Sequence, residues 1–256
     1  MKPGRRELII TETGQWVLHS RSTCRKSVIC TRVNADLRTP LLKYKEKNMI
    51  TVHHLNNSRS QRILWLLEEL NASYEIESYS RDKVTNLAPE ALKKIHPLGK
   101  SPVISEDGKI IIESAAITTY IVDKYAPKGF APNSEDSDYY NYLELMHYAE
   151  GSAMLPLLLL LYSSSLGDAA KPLHERIFSE INNHLGFLSE RLGDNDFFFR
   201  DTFSAVDTML SFVFEGAQIS GSLQPFPNLI SILERYHERS AYKVALEKGG
   251  EYKLGY

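Results

Sequence analysis

The sequence predicts two domains of different class: an α/β domain over residues 49–127 and an all-helical domain over residues 139–256, joined by a linker at 128–138. Three observations carry this. Strand-like and helix-like periods alternate up to Pro127, Asp107-Gly108 stands between two apolar runs, and only helical patterns follow the linker. A chain of 256 residues suits two domains of ordinary size.

From Met49 the elements read in order. An apolar strand, Ile50 to Leu55, gives way to a polar turn at 56–60 and then to a helix with Ile63, Leu67 and Leu70 on one stripe. A second strand at Tyr74 to Tyr79 completes a unit the size of a strand-helix-strand crossover, so the two strands are expected to be parallel. A short helix over 89–95 leads to Val103-Ile104, then Asp107-Gly108, then Lys109 to Glu113, a hairpin signal. The next helix, 114–125, repeats Ile117, Ile121 and Tyr125 and stops at Ala126-Pro127. In the helical part, Ser204 and Asp207 have the spacing of a capping box ahead of Met209, Leu210, Phe212 and Val213.

Composition narrows the chemistry. The net charge of −2 divides into +7 over residues 1–48, with 11 Lys/Arg against 4 Asp/Glu, and −9 over the rest, so the folded body does not advertise nucleic-acid binding. The longest apolar run, Ala153 to Tyr162, is about half of what a membrane-spanning helix needs and contains Pro156, so no membrane span is expected. The two cysteines, Cys24 and Cys30, lie in the basic N-terminal stretch. From residue 49 onward a thiolate metal site, a redox pair or a cysteine nucleophile is therefore unavailable, and no metal is expected. Sulfur chemistry would need a ligand that brings the sulfur. Residues 1–48 are read as a disordered, dispensable appendage or as no part of the mature protein, because neither period is sustained there. Glu7, Glu12 and Asp36 argue against a mitochondrial leader. The expected location is the cytoplasm, with mitochondrial import or peripheral membrane association as the alternatives.

Three segments carry a specific resemblance: 57–62 (Asn-Ser-Arg-Ser-Gln-Arg) after the first strand, 96–103 (His-Pro-Leu-Gly-Lys-Ser-Pro-Val), and Glu113-Ser114. Together they resemble the glutathione-binding domain of glutathione S-transferases, most closely the serine-type enzymes of fungi and bacteria. The resemblance runs from Met49 to Pro127, is looser over 139–254 and does not reach residues 1–48. It implies a thioredoxin-like fold for the first domain, glutathione as co-substrate with no further cofactor, a hydrophobic electrophile as second substrate, and a homodimer.

Each motif also has a reading of its own. Ser58 stands where the first strand gives way to a helix, whose unpaired N–H groups and positive dipole end suit an anionic sulfur. The plainer reading is a helix cap, since Ser58 and Gln61 have capping-box spacing. With the other motifs present, Ser58 is assigned as the catalytic hydroxyl and Ser60 is the second candidate. Pro102 enters a strand where it donates no ladder bond and where a cis peptide is tolerated. The resemblance implies that Val103, just after it, pairs its backbone with the cysteinyl part of glutathione. Glu113 and Ser114 offer a carboxylate, a hydroxyl and helix N–H groups to the γ-glutamyl end, and the resemblance carries His96 and Lys100 over to the glycyl end. Gly99-Lys100-Ser101 mimics a phosphate loop, but Lys94 stands where its first glycine belongs.

The electrophile pocket is expected along the first helix of the second domain, at Tyr139, Tyr140, Tyr142, Leu143, Met146 and Tyr148, with Tyr148 as the assigned wall. Bundle core is the plainer reading for each. The segment 197–202 (Phe-Phe-Phe-Arg-Asp-Thr) departs from the family, which commonly places a glycine turn there. The implied reaction is attack of the glutathione thiolate on an electrophilic carbon, with peroxide reduction as a side activity. The alternative is a non-catalytic binding or regulatory module of the same fold.

Overall fold

The computed structural model describes residues 6–10, 16–20 and 49–254. Residues 1–44 and 45–256 form separate compact units. In the first, β1 (Arg6–Ile10) pairs antiparallel with β2 (Trp16–Ser20), Ile10 opposite Trp16. The sequence patterns predict no strand there, because Leu8-Ile9-Ile10 does not alternate. The rest of the expectation for residues 1–48 lies outside the described residues.

The second unit opens with β3 (Ile50–Leu55), α1 (Ser60–Glu69) and β4 (Tyr74–Tyr79), followed by α2 (Ala91–Ile95), the hairpin β5 (Val103–Glu106) and β6 (Lys109–Ile112), and α3 (Ser114–Tyr125). The strand order is β4-β3-β5-β6. β3 runs parallel to β4, with Ile50 opposite Tyr74, and antiparallel to β5, with His53 opposite Val103. This is a thioredoxin-like domain.

The sequence marked one apolar stripe on α1. Instead Ser60 to Leu67 are all buried and Leu70 only half so. The reason is that α1 is covered on both sides, by the sheet and by the helical domain, so that even the polar Ser60, Gln61 and Arg62 are enclosed. Trp65 is fully buried among Phe203, Tyr236 and Tyr242, with ring centroids 5.2–5.3 Å away. Two charged ties cross the same boundary: Arg239 to Glu69 at 2.5 and 2.8 Å and Lys248 to Glu68 at 2.5 Å.

The helical domain begins at α4 (Tyr139–Tyr148), which passes through a π-helical turn, Ala149–Ala153, into α5 (Met154–Ser163). A 3-10 segment, Ser164–Ala170, leads to α6 (Lys171–Leu192), α7 (Ala205–Ile219), α8 (Pro227–Glu238) and α9 (Ser240–Gly249). By length and composition alone, the run Tyr139–Leu192 is apolar enough to cross a membrane. Gly167, at φ 53° and ψ −131°, breaks it. The ten residues of α5 span only about 15 Å.

The capping box at Ser204 forms: Ser204 N–H donates to Asp207 Oδ2 at 2.8 Å, and Val206 N–H donates to Ser204 Oγ at 3.3 Å. In the loop before it, Arg200 and Asp201 take φ values of 52° and 48°, a conformation glycine would adopt freely. Side chains hold it instead. Arg200 reaches Asp138 at 2.6 Å and Asp136 at 3.0 Å, while Asp201 Oδ1 accepts the Asp196 N–H at 2.5 Å. The family's glycine turn is thus replaced by charged anchors.

Candidate active site

The C-terminal end of β3 runs into Asn56 and Asn57 before α1. Asn57 has φ 50°, and its carbonyl accepts from Arg81 Nη2 at 3.1 Å. Its Oδ1 accepts the backbone N–H of Lys253 at 2.6 Å, so β4 and the C-terminal tail both pin this loop.

Ser58 follows, 4% exposed, with three hydroxyls and an imidazole in one chain. Ser60 N–H donates to Ser58 Oγ at 3.2 Å, and the Ser60 and Ser58 Oγ atoms are 2.8 Å apart. Ser60 Oγ is also 2.8 Å from His54 Nδ1. On the other side Ser58 Oγ lies 3.4 Å from Ser101 Oγ, whose proton goes to the His53 carbonyl at 3.2 Å.

The proton positions follow from His54. Burial pushes its imidazole down to about 4, opposed by a hydrogen bond to the Gly249 backbone. Nε2 is the nitrogen beside Gly249, whose backbone favours the protonated ring, so the proton of the neutral ring is assigned to Nε2. A neutral ring that donates from Nε2 accepts at Nδ1. The Ser60 hydroxyl therefore donates to His54 and Ser101 donates to the His53 carbonyl, so in the 2.8 Å contact it is Ser58 that donates, to the Ser60 oxygen, with the Ser101 oxygen at 3.4 Å as its other acceptor.

The capping box at Ser58 and Gln61 does not form. Ser58 Oγ takes the N–H of Ser60, and both polar atoms of the buried Gln61 amide lack a partner among the described residues.

The Ser101–Pro102 peptide is cis. Val103 lies inside the sheet, between His53 and Ile112, and is 1% exposed. The backbone that leads into β5 ahead of Val103 is that of Lys100, Ser101 and the cis Pro102. Glu113 is exposed and takes φ 70°, ψ 121°. A charged residue in so sparsely populated a region marks an imposed geometry. Its side chain does not cap α3, whose first turn is left open, and Ser114 behind it is buried. His96 is half-buried at the end of α2, and Lys100 is exposed.

The expected electrophile wall divides. Tyr142 and Met146 are core, at 6% and 1% exposed, and Tyr140 faces outward at 76%. Tyr148 is turned to α6, with its hydroxyl 2.6 Å from His184 Nδ1 and its ring 5.0 Å from Phe187. What approaches the Ser58 loop from the helical domain is Glu150, in the π-helical turn, whose carboxylate meets Arg59 Nε at 2.8 and 2.9 Å and Arg62 Nη1. The sequence gave no warning of Glu150, because an inserted π turn has no local pattern. His54 was legible only as a strand residue of a face that proves buried.

The comparisons with known proteins agree with this geometry. Residues 47–123 match the family model of the glutathione S-transferase N-terminal domain. Over 216 residues the chain is 36% identical to glutathione S-transferase 3 of Schizosaccharomyces pombe, covering 78% of this chain and 88% of that protein. It is 30% identical over 224 residues to glutathione S-transferase 1 of Saccharomyces cerevisiae, covering 78% and 95%. A crystal structure of a glutathione S-transferase from Actinobacillus pleuropneumoniae superposes with a TM-score of 0.74 at 30% identity, covering 80% of this chain and 95% of that one. With so much of each relative spanned, the chain belongs to the glutathione S-transferase family.

Proposed function

We propose that this glutathione transferase joins the glutathione sulfur to hydrophobic electrophiles and that the Ser58 hydroxyl holds that sulfur as its thiolate. The observation that carries the assignment to Ser58 is that its proton goes only to neighbouring hydroxyl oxygens, whereas Ser60 donates to the His54 imidazole and Ser101 to the His53 carbonyl, so the Ser58 proton is the one a thiolate would most readily redirect. A thiol of pKa about 8.5 is mostly protonated at neutral pH. Lowering it by about two units takes roughly 2.7 kcal/mol of preference for the thiolate. A charge-assisted bond of about 1.5–3 kcal/mol together with the N-terminal end of α1 supplies that.

The tripeptide is read onto the rest of the site. Lys100 and Ser101 offer backbone to its cysteinyl part, Glu113 and Ser114 take the γ-glutamyl ammonium and carboxylate, and His96 and the Lys100 side chain meet the glycyl end. The thiolate then attacks the electrophilic carbon, forming the C–S bond as the leaving group departs with its electron pair. The test is turnover of glutathione with 1-chloro-2,4-dinitrobenzene by the full chain. Catalysis above the uncatalysed rate is expected, and binding of glutathione without turnover would favour the non-catalytic module.

A two-fold homodimer belongs to the same reading. Supporting it, Tyr140, Leu155, Leu159 and Tyr162 on α4 and α5 are 76%, 54%, 41% and 68% exposed, an apolar surface of the kind that marks an interface. Sedimentation should give the dimer mass at micromolar concentration. A single monomeric species across that range overturns it.

A further inference from the structure

Next to Ser58 the chain holds two guanidinium groups against one carboxylate. Arg62 is 1% exposed, and its Nε and Nη2 have no hydrogen-bond partner among the described residues. The Phe212 ring lies 5.0 Å from its central carbon and 5.2 Å from that of Arg59. Glu150 is shared by both arginines. Burial raises its carboxyl, but the Arg62 and Arg59 charges outweigh this and hold it below the usual carboxylate range, so it is ionised. Guanidinium groups do not deprotonate in proteins, so the cluster carries a net charge of +1 from the two arginines and Glu150. Glu215, one turn beyond Phe212 on α7, pairs with neither arginine among the described residues. Its oxygens accept from Tyr242 at 2.7 Å and from Tyr252, with His237 Nε2 3.6 Å away.

A buried positive charge short of one anion is a costly arrangement unless an anion joins it. Arg59 can receive one. Among the described residues only its Nε is hydrogen-bonded, so the two terminal nitrogens form a free fork, and its side chain is 23% exposed. Such a fork matches a carboxylate edge-on. Its place also fits the reaction. The attacked carbon must come within about 3–3.5 Å of the sulfur, so the body of the electrophile extends over the residues flanking Ser58. Arg59 is the next residue, and Glu150 reaches it from the helical domain.

We infer that Arg59, backed by Arg62 and Glu150, forms the polar wall of the second-substrate pocket and selects electrophiles bearing a carboxylate a few ångströms from the carbon attacked. The inference rests on Ser58 holding the glutathione sulfur. Thiolate attack on an aryl chloride forms a C–S bond and expels chloride, so 1-chloro-2,4-dinitrobenzene and 4-chloro-3-nitrobenzoate serve as a neutral and an anionic probe. Each rate is divided by its uncatalysed rate.

The wild-type acceleration should favour the benzoate, and Arg59→Gln should reduce that preference by about ten- to a hundredfold, the span of one charge-assisted bond. Turnover of the neutral probe should stay within a few-fold. Glu150→Gln, which releases both guanidinium groups, should increase the preference. Should that variant not fold, with Arg62 left unpaired, the partly exposed Arg59→Gln carries the test alone. An Arg59→Gln ratio equal to wild type overturns the inference while leaving the transferase reading intact. So does an unchanged ratio with a shifted titration of bound thiolate, which would make the sulfur itself the missing anion. No turnover of either probe overturns the transferase reading and this inference with it.

Discussion

Nδ1 of His54 lies 2.8 Å from Oγ of Ser60 beneath the first turn of α1, and this bond separates two serines that are alike in sequence. Ser60 is tied to a buried acceptor. Ser58, two residues earlier, donates only to the hydroxyl oxygens of Ser60 and Ser101, a proton that a bound thiolate would draw away. The same imidazole has Nε2 beside the Gly249 backbone, so the choice between the serines is braced by the last helix of the other domain.

His54 makes folding sensitive to acid. Its folded-state pKa, about 4, lies below the ordinary 6.5, so the unfolded chain binds the extra proton between these values. Stability is therefore full above pH 6.5 and is lost as the pH falls toward 4, by about 3 kcal/mol for a shift of this size. His54→Asn keeps an acceptor for Ser60 but does not titrate. Urea unfolding at pH 7 and at pH 4 should show the variant losing about 3 kcal/mol less than wild type over that interval. Equal losses would mean that His54 titrates normally.

Asp207 serves the capping box and more. Its Oδ1 accepts the Tyr236 hydroxyl at 2.8 Å while Oδ2 accepts the Ser204 N–H. Asp207→Ala leaves a buried hydroxyl and a helix N–H unpaired, which should destabilise the protein by about 2–5 kcal/mol. Chemical denaturation measures the loss. Turnover per folded molecule should be preserved at a temperature where the variant is folded, because Asp207 lies in the helical domain's own core.

Gly249 is where α9 meets α1 most closely. A Cβ there would stand 2.8 Å from Gln61 Oε1 and 3.0 Å from Leu64 Cδ1. Gly249→Ala should therefore destabilise by about 1–3 kcal/mol through overpacking. The midpoint of urea unfolding is the readout, and a midpoint at or above wild type would show that the helices have room to part.

The order of elements from Ile50 to Tyr125 was legible because each boundary has a chemical mark: the polar turn before α1, Asp107-Gly108 in the hairpin, and the Ala126-Pro127 stop. Ser58, Glu113 and Ser114 could be nominated because they sit at strand-to-helix junctions, which sequence patterns locate well. What stayed hidden depends on distant chain. The buried faces of α1 are decided by α7 and α9, the direction of the Ser58 hydrogen bond by His54 and Ser101, and the Arg59 partner by a π turn 91 residues away. The surroundings of Tyr148 stayed hidden for the same reason. Its amphipathic side chain suits a pocket, but α6 supplies His184 and Phe187 to cover it.

The most direct measurement of the account is the ultraviolet absorbance of bound glutathione thiolate against pH in wild type, Ser58→Ala and Ser60→Ala. Loss of the Ser58 bond should raise the titration midpoint by about one to two units and lower turnover at pH 7 roughly ten- to a hundredfold, with glutathione affinity nearly intact. Ser60→Ala should titrate as wild type does. A midpoint unchanged in Ser58→Ala and raised in Ser60→Ala would contradict the proton assignment and transfer the catalytic role to Ser60.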